Sequence, residues 1–155
     1  MTQTTLALLM EHPFLAGMAT TWLERLSSYG HPAYRPPGFR LFHEDRPADR
    51  FWLLRSGRVA LDIHVAGRGD VVIETISAGS VVGWSWLFPP YRWHFGAVAT
   101  EPMHAVEFGA AGVRRLRDED AELARDLDQR FMMIMLDRLQ AARGRLAELY
   151  GYPPS

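Results

Sequence analysis

Between Gly83 and Phe95 the sequence crowds Trp84, Trp86, Phe88, Tyr91, Trp93 and Phe95 around two basic side chains, Arg92 and His94. Large planar rings with one or two cationic handles suit a pocket for an apolar or planar ligand that carries an anionic group. The same rings are also bulky enough to fill such a volume themselves. An aromatic surface that docks a partner protein is a third use, so the residues alone leave three readings open. Other chemistry is poorly supplied. There is no cysteine, which removes thiolate nucleophiles, disulfides and cysteine-ligated metals. The six histidines, His12, His31, His43, His64, His94 and His104, form neither His-x-His nor a His-Glu-x-x-His helix, the spacings that put imidazoles on one metal. His43 and Glu44 are adjacent, and neighbours on a strand face opposite ways. Trp84-Ser85-Trp86 lacks both glycines of a nucleophile elbow, and no glycine-rich phosphate loop occurs. No catalytic residue and no metal ligand is expected, so the chain reads as something other than an enzyme.

The elements that must hold this segment follow from composition and periodicity. A length of 155 residues with 48% hydrophobic content suits a single domain, 1–155, with one core. No apolar run approaches the roughly 18 residues of a membrane span, and Leu6 to Met10 lacks the basic flank of a signal peptide. A cytoplasmic protein without membrane contact is expected. The net charge is -1 and all 17 basic residues are arginines, so no overall basic face suggests direct nucleic-acid binding. Arg114, Arg115 and Arg117 read as a solvated face, and Asp118 to Asp120 as a helix cap.

Leu6, Leu9 and Met10 predict a short helix before Pro13, and Phe14 to Leu26 continue at threes and fours into a second, from about Leu15 to Ser28, with Gly30 as its stop. The N-terminal helices thus occupy 6–30. Across 33–110 short β-prone runs alternate with turn formers: Arg40 to His43, Arg50 to Arg55, Arg58 to Val65, Val71 to Ile76, Gly96 to Thr100 and His104 to Phe108. Such spacing argues for a small all-β roll, barrel or sandwich. Val59, Leu61, Ile63 and Val65 alternate with Arg58, Asp62 and His64, predicting one buried and one wet face. Ser56-Gly57 and Gly67-Arg68-Gly69-Asp70 read as hairpin turns. From 113 to 150 the pattern is helical again, with a short helix over Val113 to Arg117 and a long one ending near Tyr150, stopped by Gly151 and Pro153.

On that last helix Met132, Met135, Leu139, Ala142, Leu146 and Leu149 recur at alternating threes and fours, the seam along which two helices pair. A parallel homodimer is expected through it, the alternative being that the helix packs only on its own domain.

Several of these stretches together resemble a known family. Gly38-Phe39-Arg40-Leu41-Phe42-His43-Glu44-Asp45, then Ala48 to Leu61 around Ser56-Gly57, then Ala78-Gly79-Ser80-Val81-Val82-Gly83, and finally Arg138-Leu139-Gln140 resemble the cyclic-nucleotide-binding domain of the Crp–Fnr superfamily. The resemblance spans roughly Pro13 to Leu149. It implies a mainly β fold with flanking helices: a β-roll of double-stranded β-helix or jelly-roll type, followed by a long C-terminal dimerisation helix. It also implies that a strand–short helix–strand cassette after Gly83 holds a cyclic phosphate. There backbone amides and an arginine meet the anion, and a glutamate accepts from the ribose hydroxyl.

The cassette departs from that pattern. Gly83 matches, but Trp84 stands at the glutamate position and His94 at the arginine position, and Phe95 replaces the small hydroxyl residue; Arg92 lies two residues early. On the long helix Ala142 and Arg143 stand where hydroxyl residues meet the purine. Losing one charged hydrogen bond costs about 1.5 to 3 kcal/mol, and three losses weaken binding by several orders of magnitude. Ordinary cyclic AMP is therefore not the expected ligand. The candidate site is Gly83, Trp84, Ser85, Trp86, Arg92, His94 and Phe95, with Ala142 and Arg143 near it. The expected function is a regulatory sensor module that binds a cyclic nucleotide variant or another small anionic or aromatic ligand and signals through a partner protein. The alternative is a closed-pocket interaction or dimerisation module. A third reading is a Crp–Fnr-type regulator that acts with a separate DNA-binding partner, since no helix-turn-helix follows the long helix in this sequence.

Overall fold

A computed structural model describes residues 3–151. Helix α1 (Thr5–Glu11) is capped by the Thr4 hydroxyl, which accepts from the Ala7 amide. A 3-10 turn (Pro13–Leu15) and α2 (Thr20–Ser27) follow. Eight strands then build the roll: β1 (Gly30–Arg35), β2 (Arg40–Phe42), β3 (Arg50–Ser56), β4 (Arg58–Val65), β5 (Gly69–Ser77), β6 (Val81–Val82), β7 (Gly96–Ala99) and β8 (Met103–Gly109). They pair antiparallel in two four-stranded sheets, ordered β1-β8-β3-β6 and β2-β7-β4-β5. The chain closes with α3 (Ala110–Glu119) and α4 (Ala121–Leu149), the latter capped by Asp120, whose carboxylate accepts from the Leu123 amide. The mainly β roll with flanking helices and a long C-terminal helix is therefore the architecture.

Adjacent residues on β3 explain how the roll is filled. Phe51 and Trp52 point to opposite faces of their sheet. Phe51 stacks between Phe108 and Trp86, at 4.8 Å and 4.5 Å, with Phe131 of α4 edge-on at 5.7 Å. Trp52 turns the other way and stacks near Phe42 at 5.7 Å and Trp93 at 6.4 Å. Its indole N–H donates to the buried Glu107 carboxylate at 2.8 Å, which Arg35 also meets at 3.1 Å. Side chains of this size each contribute roughly 1.5 to 3 kcal/mol by burial, so two aromatic layers, one on each face of β3, carry much of the core.

Helix α4 changes partners along its length. Leu123, Leu127 and Phe131, four apart, are buried against the roll, whereas Met132, Leu136, Leu139, Leu146 and Leu149 are exposed.

Three expectations need correction. The second helix starts at Thr20 instead of about Leu15, and residues Gly30 to Arg35 are an edge strand instead of a helix stop. Asp62 does not lie on a wet face: a bulge between Leu61 and Asp62 shifts the register, and the buried carboxylate takes a two-pronged ion pair from Arg40 at 3.0 and 2.7 Å. Nor are Arg114 and Arg117 simply solvated. Arg114 lies 4.8 Å over the Tyr91 ring and donates to the Trp86 carbonyl, and Arg117 pairs with Asp128 at 2.7 Å.

Candidate functional site

The cassette runs from β6 to β7. Gly83 turns the chain at φ +98°, and a Cβ there would meet the Trp93 ring at 2.8 Å, so this position needs glycine for both backbone and space. A 3-10 turn (Ser85–Leu87) follows, then the exposed Phe88-Pro89-Pro90 segment. Proline supplies no amide for a ladder, and the chain regains regular pairing only at Gly96. In between, the segment is stitched to the β2–β3 loop by three backbone hydrogen bonds: Asp45 N–H to Trp93 O, Trp93 N–H to Arg46 O and Ala48 N–H to Tyr91 O.

The aromatic residues divide between filling and facing outward. Trp86 is fully buried, stacked on Phe51 and edge-on to Phe131 at 5.5 Å. Trp93 is 3% exposed and lies flat on Phe42 at 3.7 Å. Trp84 and Phe95 meet edge-to-face at 5.8 Å, both half-buried. Phe88 and Tyr91 are exposed. Beside them lies a groove of about 230 Å³ between Leu87 and Phe88 of the cassette and Met132 and Met135 of α4.

Both polar handles have protein partners. Arg92 turns outward to the β2–β3 loop, where its Nε donates to the Asp45 carboxylate at 3.0 Å and its Nη2 to the Asp45 carbonyl. His94 Nδ1 is 3.2 Å from the buried Ser85 hydroxyl. Gly83, Trp84, Ser85, His94 and Phe95 are thus brought into one segment, and Arg92 is drawn away from it. On α4, Ala142 is half-buried and Arg143 exposed. Among the described residues no three His, Asp or Glu side chains are placed to hold a metal ion.

Sequence reasoning named Arg138 but not the contacts through which it ties α4 to the roll. Arg138 pairs with Glu74 of β5 at 3.1 Å and donates to the Ser80 hydroxyl at 2.9 Å, while its Nε is buried without a hydrogen-bond partner. The available signal was a lone carboxylate within the β-prone run Val71 to Ile76. Asp62 gave a parallel signal inside β4. There the neighbouring carboxylate raises the Arg40 pKa, chiefly through the Asp62 hydrogen bonds, and Gly96 leaves room for the pair because a Cβ would strike Asp62 at 2.5 Å.

The architecture is thus a β-roll closed by a helix, with a short helical cassette between its sixth and seventh strands. The family model "Cyclic nucleotide-binding domain" matches residues 34–120, more than half of the chain, and the chain belongs to that family. Its structural neighbours are of the Crp/Fnr type. A putative cyclic nucleotide-binding protein from Geobacter metallireducens is 24% identical, with a TM-score of 0.78 over 89% of this chain and 99% of that one. A cyclic nucleotide-binding domain from Methylobacillus flagellatus is 17% identical, with a TM-score of 0.77 over 94% and 82%. The catabolite activator protein of Thermus thermophilus is 21% identical, with a TM-score of 0.67 over 89% of this chain and 63% of that protein. At these identities the likeness is one of fold. No curated protein sequence matches the chain.

Proposed function

We propose that this chain is a Crp/Fnr-type regulatory module whose cassette is closed by its own tryptophans, and that it acts as a homodimer through α4 and on through protein contacts. One observation carries the reading: Trp93 lies against Gly83 and on Phe42, in the cassette where the family places a cyclic phosphate. With Trp84 in place of the glutamate and Arg92 held by Asp45, a cyclic nucleotide would have to displace a stacked, buried indole and would gain no arginine. The exposed stripe Met132, Leu139, Leu146 and Leu149, flanked by half-buried Met135 and Ala142, supports the dimer, because apolar residues at threes and fours form a helix-pairing seam.

A second reading, a module opened by a small anionic ligand that is not ordinary cyclic AMP, is favoured by Arg138. Its buried, unpaired Nε is a ready donor for an anion entering beside α4, and unsatisfied buried donors are costly.

A thermal-shift panel of cyclic AMP, cyclic GMP, other nucleotides and small anionic aromatics, with light scattering on the same protein, tests the proposal. The expected outcome is no shift with any compound and a dimeric mass at micromolar concentration. A ligand at about a hundred times its Kd adds roughly 2.7 kcal/mol, a rise of several degrees. Such a rise with a cyclic nucleotide overturns the closed cassette, a rise with another compound selects the second reading, and a monomeric mass overturns the dimer.

A further inference from the structure

A second concavity lies away from the cassette, where α1 and its following 3-10 turn cross the end of β3 and the β5–β6 turn. It is an open cleft of about 400 Å³. Its apolar wall is made by Leu8, Pro13 and Ala78, and its charged groups are Glu11 and Arg55.

The polar atoms between these two charges are already used. His12 is buried, its Nδ1 accepting the Phe14 amide at 3.2 Å and its Nε2 lying 2.8 Å from the Leu54 carbonyl. A ring that accepts at Nδ1 is neutral and carries its proton on Nε2, so it donates to Leu54 O. That same carbonyl also takes the Gly79 amide at 2.9 Å. None of these groups is left to recognise a ligand, and recognition falls to the two ionic side chains.

Arg55 makes no ion pair or side-chain hydrogen bond among the described residues. Among the described residues Glu11 meets only the Gln3 amide, at 3.0 Å, and does not pair with Arg55 although both line one cavity. A guanidinium and a carboxylate held apart over an apolar wall are complementary to a molecule that carries the opposite charges close together beside an apolar body. The volume admits a ligand of amino-acid size with solvent to spare, and pockets of this size are ordinary small-molecule sites.

We propose that this cavity binds a free α-amino acid with an apolar side chain. The carboxylate pairs with Arg55, the ammonium with Glu11, and the side chain packs on Leu8, Pro13 and Ala78. The site is independent of the cassette, and its occupancy does not require the cassette to open.

The test follows the His12 imidazole signals by NMR on the intact chain during titration with L-leucine and L-phenylalanine. L-leucinamide, which lacks the carboxylate, and N-acetyl-L-leucine, which lacks the ammonium, serve as controls. Saturable movement of the His12 signals by the free amino acids is expected. Arg55→Gln and the amide should each weaken binding about two- to fivefold, the loss of one solvent-exposed ion pair. Glu11→Gln should weaken L-leucine similarly while leaving N-acetyl-L-leucine unchanged. Both side chains are exposed, and an unchanged amide spectrum verifies that each variant is folded. No saturable movement with either amino acid overturns the proposal, as does equal affinity in Arg55→Gln, because the guanidinium then plays no part.

Discussion

Trp93 and Gly83 touch across the cassette: the indole ring that lies 3.7 Å over Phe42 is the group a Cβ at position 83 would strike at 2.8 Å. Gly83→Ala therefore meets two obstacles, a left-handed backbone at φ +98° and a ring held from behind. The expected loss is about 2 to 4 kcal/mol, positive-φ strain plus overpacking, read from urea unfolding. A change within about 0.5 kcal/mol, the usual range for a surface substitution, would show that the ring gives way freely.

His12 makes stability depend on pH. Burial is the main cause that lowers its pKa; the Leu54 hydrogen bond opposes this and the positive Arg55 adds to it. A histidine kept neutral in the fold binds fewer protons than in the unfolded chain, whose value is about 6.5. The contribution is fully present above that value and is lost as pH falls through it toward the lowered folded-state value. Unfolding free energy should decline in acid on this account, and His12→Asn should flatten the decline. An equally steep profile in the variant would assign it to other groups.

Leu139 and Leu146 are 58% and 54% exposed on α4. In a paired helix both would be covered. Leu139→Asp with Leu146→Asp should convert a dimer to a monomer by light scattering, with helical circular dichroism of the roll-packed portion retained. A dimer that survives both charges would move the interface off this stripe.

Glu74 and Arg138 hold α4 to β5 with side chains 11% and 20% exposed. Removing one partner of a mostly buried pair strands the other charge. Glu74→Gln should cost about 1 to 3 kcal/mol, below the fully buried range because Arg138 keeps some solvent and its Ser80 contact. A double-mutant cycle with Arg138→Met should recover part of that loss. Strict additivity would mean that the two side chains are not coupled.

The roll and its long helix were legible because their signals are local. Gly57 marks the β3–β4 turn at φ +88°, and the three-four spacing from Met132 to Leu149 marks the long helix. β1 was illegible because Pro32 argues against a strand interior. The strand is at an edge, paired only with β8, where a missing amide is tolerated. Asp62 was misplaced because a bulge breaks the simple alternation of β4 and its partner Arg40 lies 22 residues away. In the cassette the sequence supplied the rings and the missing glutamate. It could not divide six aromatics between filling and facing outward, since that depends on Phe51, Phe131 and Phe42, which come from other elements. Arg92 was likewise decided by Asp45, 47 positions away.

The closed cassette is tested most directly by the indole N–H signals of Trp86 and Trp93 in ¹⁵N-tryptophan-labelled protein during titration with cyclic AMP. The account predicts that both remain in place at nucleotide concentrations up to about millimolar, the affinity range left after several charged contacts are lost. Saturable movement of the Trp93 signal at micromolar nucleotide would show the ring leaving Gly83 to admit a ligand, and would contradict it.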